Sequence, residues 1–225
     1  MCGRYAFFSP HEAVKRVFGV ELPADLPPRY NVAPTQPVPA IRRSADAGRE
    51  LVMLRWGLIP GWAKDPSIGN RMINARAETL GERPAYRRAF RDRRCLVLAD
   101  GWYEWQATPS GKQPWFIRRR NGEPIAFAGL WESWRDPADG ARTESCAIIT
   151  RDAPGELARI HGRVPAVIDP AAADRWLDPG QRDGAAVSDL LTQADAADFE
   201  AWPVSRRVND PHNDGPELVR PAGEG

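Results

Sequence analysis

The chain has 225 residues, 42% hydrophobic and 27% charged, with a net charge of +1. These values exclude a disordered chain and a polyanion binder driven by global charge, so any contact with nucleic acid has to be a local basic patch. Three widely spaced cysteines, Cys2, Cys95 and Cys146, form neither a disulfide framework nor a zinc site, and the pattern asks for no metal and no cofactor.

Ser9, Pro10 and Glu12 occupy the N-cap, first-turn and N3 positions of a helix, the pattern of a capping box. Ala13, Val14, Val17 and Phe18 supply its apolar face, and Gly19 ends it. Residues 2–8 then form an extended segment held inside the fold. The proline-rich stretch 21–40 reads as irregular, 51–59 as a strand and 84–93 as a basic helix. Strands are predicted over 96–99, 102–105, 115–119, 125–131 and 145–150, separated by Gly, Pro, Asn or Asp. Asp169 caps a helix starting at Pro170, 185–191 gives another, Val204 lies in a last strand, and 221–225 is expected to be a disordered tail. Strands outnumber helices and the links are short. This predicts an α+β fold: a single domain over residues 1–220 with a mainly antiparallel, barrel-like sheet and a few flanking helices. No apolar run approaches the ~18 residues of a membrane helix. A signal peptide's basic and apolar regions are also missing. The expectation is a cytoplasmic monomer with no membrane partner, in which Cys2 stays a free thiol.

Cys2 has a chemistry that an internal cysteine lacks. Removal of Met1, which aminopeptidases favour before a small residue, leaves an amine and a thiol on adjacent carbons. The amine condenses with an aldehyde to an imine, and the thiol closes on the same carbon to give a five-membered thiazolidine. The amine, with a reference pKa of about 7.7–8.0, is partly neutral at physiological pH. The thiol, near ~8.5, is expected to need little help to ionise. Gly3 beside it permits close backbone approach. The plain alternative, a surface residue at position 2, fits the residue alone about equally well.

Three segments offer partners. Asn74 and Arg76 alternate with apolar neighbours, so both face one side of an extended segment, against the plainer reading of a strand edge. Glu104 lies in Gly101-Trp102-Tyr103-Glu104-Trp105, where aromatic neighbours are expected to desolvate it and raise its pKa towards that of a general acid, against the plainer reading of an exposed Glu on an aromatic strand. His161 sits in Ile160-His161-Gly162-Arg163-Val164-Pro165; His is the natural proton shuttle near neutrality, and a structural loop histidine is the alternative.

Six segments in order complete a pattern: Met1 to Tyr5, Tyr30-Asn31-Val32-Ala33-Pro34, Arg55 to Pro60, Asn74 to Thr79, Gly101 to Trp105, and His161 to Pro165. Together they resemble the SOS-response-associated peptidase family, whose members shield abasic sites in single-stranded DNA by covalent cross-linking. The likeness runs from Cys2 to about Val219, with Val164 where relatives frequently carry Met. The resemblance implies that Cys2 attacks the ring-opened sugar aldehyde and Glu104 assists ring opening and proton transfer. It also implies that His161 acts as acid or base at the imine, Asn74 positions the reacting atoms and Thr150 lines the pocket. Arg4, Arg76 and Arg163 would hold flanking phosphates, while Trp62, Trp105 and Pro39 are candidates for stacking or wedging, with core packing as their alternative role. Between positions 71 and 94 eight arginines face Glu78, Glu82 and Asp92, a local basic patch. Two other readings remain: a thiol peptidase with Cys2, His161 and Glu104 as nucleophile, base and orienter, and a single-strand-binding module without chemistry.

Overall fold

The run Arg94-Cys95-Leu96-Val97-Leu98-Ala99 is too continuously apolar to have a solvent face, so a strand built from it needs cover on both sides. The computed structural model, which describes residues 2–44, 46 and 48–223, provides that cover. In chain order the elements are β1 (Arg4–Phe7), α1 (His11–Phe18), β2 (Arg29–Val32), β3 (Pro37–Arg43), β4 (Arg49–Trp56), β5 (Asn74–Arg76), α2 (Pro84–Asp92), β6 (Arg94–Ala99), β7 (Gly101–Thr108), β8 (Gly111–Arg119), β9 (Ile125–Arg135), β10 (Arg142–Asp152), β11 (Arg163–Pro165), β12 (Val167–Ile168), α3 (Ala173–Leu177), α4 (Ala185–Ser188) and β13 (Phe199–Pro203), joined by short 3-10 turns.

Strands β10, β4, β3, β6 and β9 pair in a ring, because β9 also pairs β10, and this closes a five-stranded barrel. The β10–β4 pairing is parallel and the others antiparallel, so the barrel is mixed. Every residue of β6 is buried, lining the barrel on one face and packed outside on the other. A second sheet, ordered β13-β8-β7-β1-β2, is antiparallel throughout. Its alternation splits it cleanly. Tyr5, Phe7, Trp102, Ile117 and Phe199 join the main core with the barrel. Ala6, Tyr103, Phe116, Val204, Val208 and Leu218 form a separate core on the other face. The fold is thus the expected single α+β domain with a barrel and few helices, and no described helix is long and apolar enough to cross a membrane.

Several local expectations change. Gly19 ends α1 in the left-handed region at φ 70°, as expected, but no side chain caps the helix start. Ser9 instead donates its hydroxyl and its N–H to the Asp100 carboxylate, which fastens the chain between β1 and α1 to the turn before β7. The stretch expected to be irregular contains β2 and most of β3. Pro37 and Pro39 are tolerated because alternate residues direct their nitrogens to one edge, and on that edge β6 pairs β3 only at Ala40 and Ile41. Val204 lies just past β13 and bridges Pro221, and the Ala222 N–H donates to the Pro203 carbonyl; residues 224 and 225 of the expected tail lie outside the described residues.

The eight-arginine patch is also divided. Arg93 is paired with Glu132. Arg94 is 5% exposed and donates to the carbonyls of Trp176 (2.6 Å), Phe90 (2.7 Å) and Asp178 (2.5 Å). Arg94 therefore ties α2 to α3 from inside and is unavailable to a polyanion. Arg94→Met should lower the unfolding free energy by roughly 3 kcal/mol, since it leaves buried carbonyls without donors. A urea titration showing the parental midpoint would contradict this assignment.

Candidate active site

The seam between the barrel and the second sheet gathers polar groups that are otherwise rare in the core. Cys2 enters it immediately before β1 and has no exposed surface. Its sulfur lies 3.8 Å from the Arg4 carbonyl, to which the S–H donates. The barrel side supplies Asn74 at the start of β5, which runs parallel to β10 with Asn74 beside Ile148. The Asn74 Nδ2 donates to the Cys2 carbonyl at 2.7 Å, so barrel and N-terminus are joined through this amide. Its Oδ1 is buried with no hydrogen-bond partner among the described residues. A buried acceptor left unmet is costly unless a ligand donor satisfies it.

From the second sheet comes Glu104, in register with Trp115 of β8 and 2% exposed. Burial pushes its carboxyl up to about 7. It is therefore poised to give or take a proton near neutrality. His161 approaches from the turn before β11, with Nδ1 3.7 Å from Glu104 Oε2. The same Nδ1 lies 3.0 Å from both the N–H and the carbonyl oxygen of Arg163. Burial lowers the His161 pKa. Carboxyl and imidazole are thus shifted in opposite directions, and the proton near neutrality rests on Glu104.

Cys2 departs from the sequence expectation. Burial, reinforced by the Glu104 charge, pushes its thiol well above the ordinary value. The thiol is held as S–H, not as a ready thiolate.

Thr150 is fully buried on β10, opposite Pro165 of β11 and beside Arg76 of β5. Arg76 is exposed at the end of its strand. Arg163 is engaged inside the protein: it donates to both Glu78 oxygens (2.8 and 3.0 Å), to Asp152 (2.7 Å) and to the Thr150 carbonyl (2.6 Å). Arg4 donates to Asn31 Oδ1 (2.9 Å) and to the carbonyls of Val208 (2.7 Å) and Asn209 (3.2 Å). Trp62 is 63% exposed. Trp105 lies on the face of β7 opposite Glu104, and its Nε1 donates to Asn209 at 2.8 Å. Pro39 is buried within β3, opposite Met53. The seam thus brings together Cys2, Asn74, Glu104 and His161, while Thr150 is held by Arg163 one strand away. Trp105 and Pro39 are built into packing elsewhere.

Three residues that hold the site escaped the sequence reading. Tyr86 of α2 donates its hydroxyl to the Asn74 carbonyl at 3.1 Å. Glu78 grips Arg163 with both oxygens. Buried Asn31 orients Arg4 while its amide donates to the carbonyls of Val208, Asp210 and Asn213. Glu78 and Asn31 lie inside quoted motifs, but their partners are distant in sequence; nothing local marks Tyr86.

A family model described as SOS response associated peptidase (SRAP) matches residues 1–211. The chain is 42% identical to the abasic site processing protein YoqW of Bacillus subtilis, over 97% of this chain and 99% of that one. It is 33% identical to the abasic site processing protein YedK of Escherichia coli, over 98% and 100%. A solved structure of a protein from Bacteroides thetaiotaomicron aligns with a TM-score of 0.86 at 25% identity, covering 98% of this chain and 100% of that one.

Proposed function

We propose, from the premise that this chain belongs to the SOS response associated peptidase family, that it processes abasic sites in single-stranded DNA by covalent capture at Cys2. After Met1 is removed, the Cys2 amine adds to the C1′ aldehyde of the ring-opened sugar, and loss of water gives an imine. The Cys2 sulfur then bonds to the same carbon while the thiol proton passes to the nitrogen, which completes a thiazolidine. The observation that carries this reading is the geometry at Asn74. Its Nδ2 fixes the Cys2 carbonyl at 2.7 Å while its Oδ1 is left as a buried, unmet acceptor. Such an acceptor suits the amine of the attacking residue or a sugar hydroxyl.

The other groups take complementary roles. Glu104 in its acid form delivers a proton to the departing C1′ hydroxyl, and His161, neutral, relays protons at the imine. Arg76 holds a phosphate, and Trp62 offers an exposed ring to a neighbouring base. Arg163 and Arg4 act chiefly by building the walls around Cys2. Burial of the thiol weighs against the peptidase alternative, because attack on a peptide carbonyl needs a thiolate and this environment disfavours one. Amine-first chemistry has no such requirement.

The test is a denaturing gel after incubation with single-stranded DNA that carries one abasic site. A heat-stable shifted band is expected with the natural site. No band is expected with intact DNA, or after borohydride reduction of the aldehyde beforehand. Equal bands from reduced and unreduced DNA would rule out aldehyde capture, and peptide cleavage without DNA would favour the peptidase.

A further inference from the structure

A cavity of about 580 Å³ lies outside the seam, between α2 and the segment before α4. Arg87, Arg88 and Arg91 reach it from α2 and Arg182 from nearly a hundred residues later, with Phe90 and Gly184 among the residues that line it. Gly184 is required there, since a Cβ at this position would sit 2.2 Å from the Phe90 ring. The four guanidinium groups face two carboxylates. Asp92 holds Arg91 (2.9 Å) and Arg182 (3.1 Å), which fixes both, and Asp183 lies in the wall. Arg87 and Arg88 have no carboxylate partner among the described residues. Two exposed, unpaired arginines beside two fixed ones leave a net positive cavity in a protein of net charge +1.

Helix α2 contributes to both the cavity and the reaction site. Tyr86, one residue before Arg87, touches Asn74 through its hydroxyl. Arg87 and Arg91 are four residues apart on α2, so they form a short stripe along one side of the helix with about 6 Å of rise between them. Phosphodiester groups recur along a strand as a row of single negative charges. A row of guanidinium groups matches that pattern, whereas a free small anion would use one position.

We infer that this cavity and the α2 stripe bind the backbone phosphates of the DNA strand as it runs away from the reacting sugar, with Arg87, Arg88 and Arg182 as the contacts. This rests on the abasic-DNA reading above and extends it to a binding surface separate from the reaction site. Recognition there is blind to base sequence. It serves to retain DNA before and during the chemistry.

The test uses the full chain with Arg87→Ala, Arg88→Ala and Arg182→Ala combined, and single-stranded DNA bearing an abasic analogue without an aldehyde, so that binding is non-covalent. Two lengths are compared by anisotropy over a salt series: one spanning the lesion and its immediate neighbours, the other several times longer. On the long strand the triple variant should bind roughly tenfold more weakly, and the slope of log K against log salt should be shallower by about 2, at ~0.7 per lost phosphate contact. The short strand should bind as to the parent. Arg87→Gln with Arg88→Gln, which loses no ion pair, should give a smaller change of the same kind. An unchanged slope on the long strand would overturn the inference, as would equal losses on both lengths. Loss of inorganic pyrophosphate binding with long-strand binding intact would also overturn it, in favour of a free phosphate. Because the analogue cannot react, these outcomes are independent of whether the parent protein forms an adduct with a true abasic site.

Discussion

Replacing Cys2 with alanine should abolish the heat-stable DNA adduct while leaving a weaker one that only borohydride reveals. Alanine at position 2 still permits Met1 removal and still presents an α-amine, so imine formation survives the change. The imine reverts in water unless reduced. In the parent, the thiol lies on the carbon next to the amine, so closure is intramolecular and has the large effective concentration of a well-placed pair. The raised thiol pKa does not block this step, because the sulfur adds to an already activated carbon and its proton passes to the adjacent nitrogen. Stable adduct should fall by on the order of 10³-fold or more, the scale of losing a covalent nucleophile. A protein that keeps Met1 should give neither species at this position, since its Cys2 nitrogen is an amide. If Cys2→Ala produced the heat-stable band at parental yield, the thiazolidine would be wrong, whatever the fate of the imine.

The sequence points to this proposed chemistry through the position of one residue. A cysteine after the initiator methionine needs no tertiary information to be recognised as a latent aminothiol. Glu104 was legible for a related reason: one carboxylate in an aromatic run is desolvated wherever the strand packs, and burial does raise its pKa. The arginines were harder. Charge counting treated Arg71 to Arg94 as one patch, but Arg94 spends its donors on four backbone carbonyls and Arg93 pairs with Glu132. Whether an arginine faces solvent or a helix terminus depends on packing that a charge tally does not contain. Arg182 shows the converse, since it joins Arg87 and Arg88 only in the folded chain. In the fold, the long apolar strands were found because their pattern is local. The prolines of β3 hid a strand, since their compatibility depends on where β6 stops pairing. Barrel closure is likewise set by pairings between strands far apart in sequence.

Glu104→Gln should slow adduct formation by roughly 10²–10³-fold, the usual contribution of a positioned general acid. It should also change the shape of the pH profile. In the parent two groups oppose each other. The Cys2 amine attacks only when neutral, so the rate rises with pH as the amine loses its proton, the reference value for an α-amine being about 7.7–8.0. Glu104 donates only when protonated, and burial places its titration at about 7, so the rate falls as pH climbs past that value. The product of the two is a bell whose maximum lies between them. His161, shifted downward by burial, stays neutral across this window and adds no limb of its own there. Glutamine keeps the size of the side chain but has no proton to lose. Its profile should therefore rise to a plateau on the alkaline side, with non-covalent affinity for an aldehyde-free analogue near that of the parent. The measurement is the initial rate of adduct appearance across a pH series for both proteins. A variant that retains the alkaline fall would assign that limb to another group and remove Glu104 from the acid's role. A variant that loses DNA affinity in proportion to rate would make Glu104 a structural residue of the seam, since its 2% exposure leaves no direct path to a phosphate.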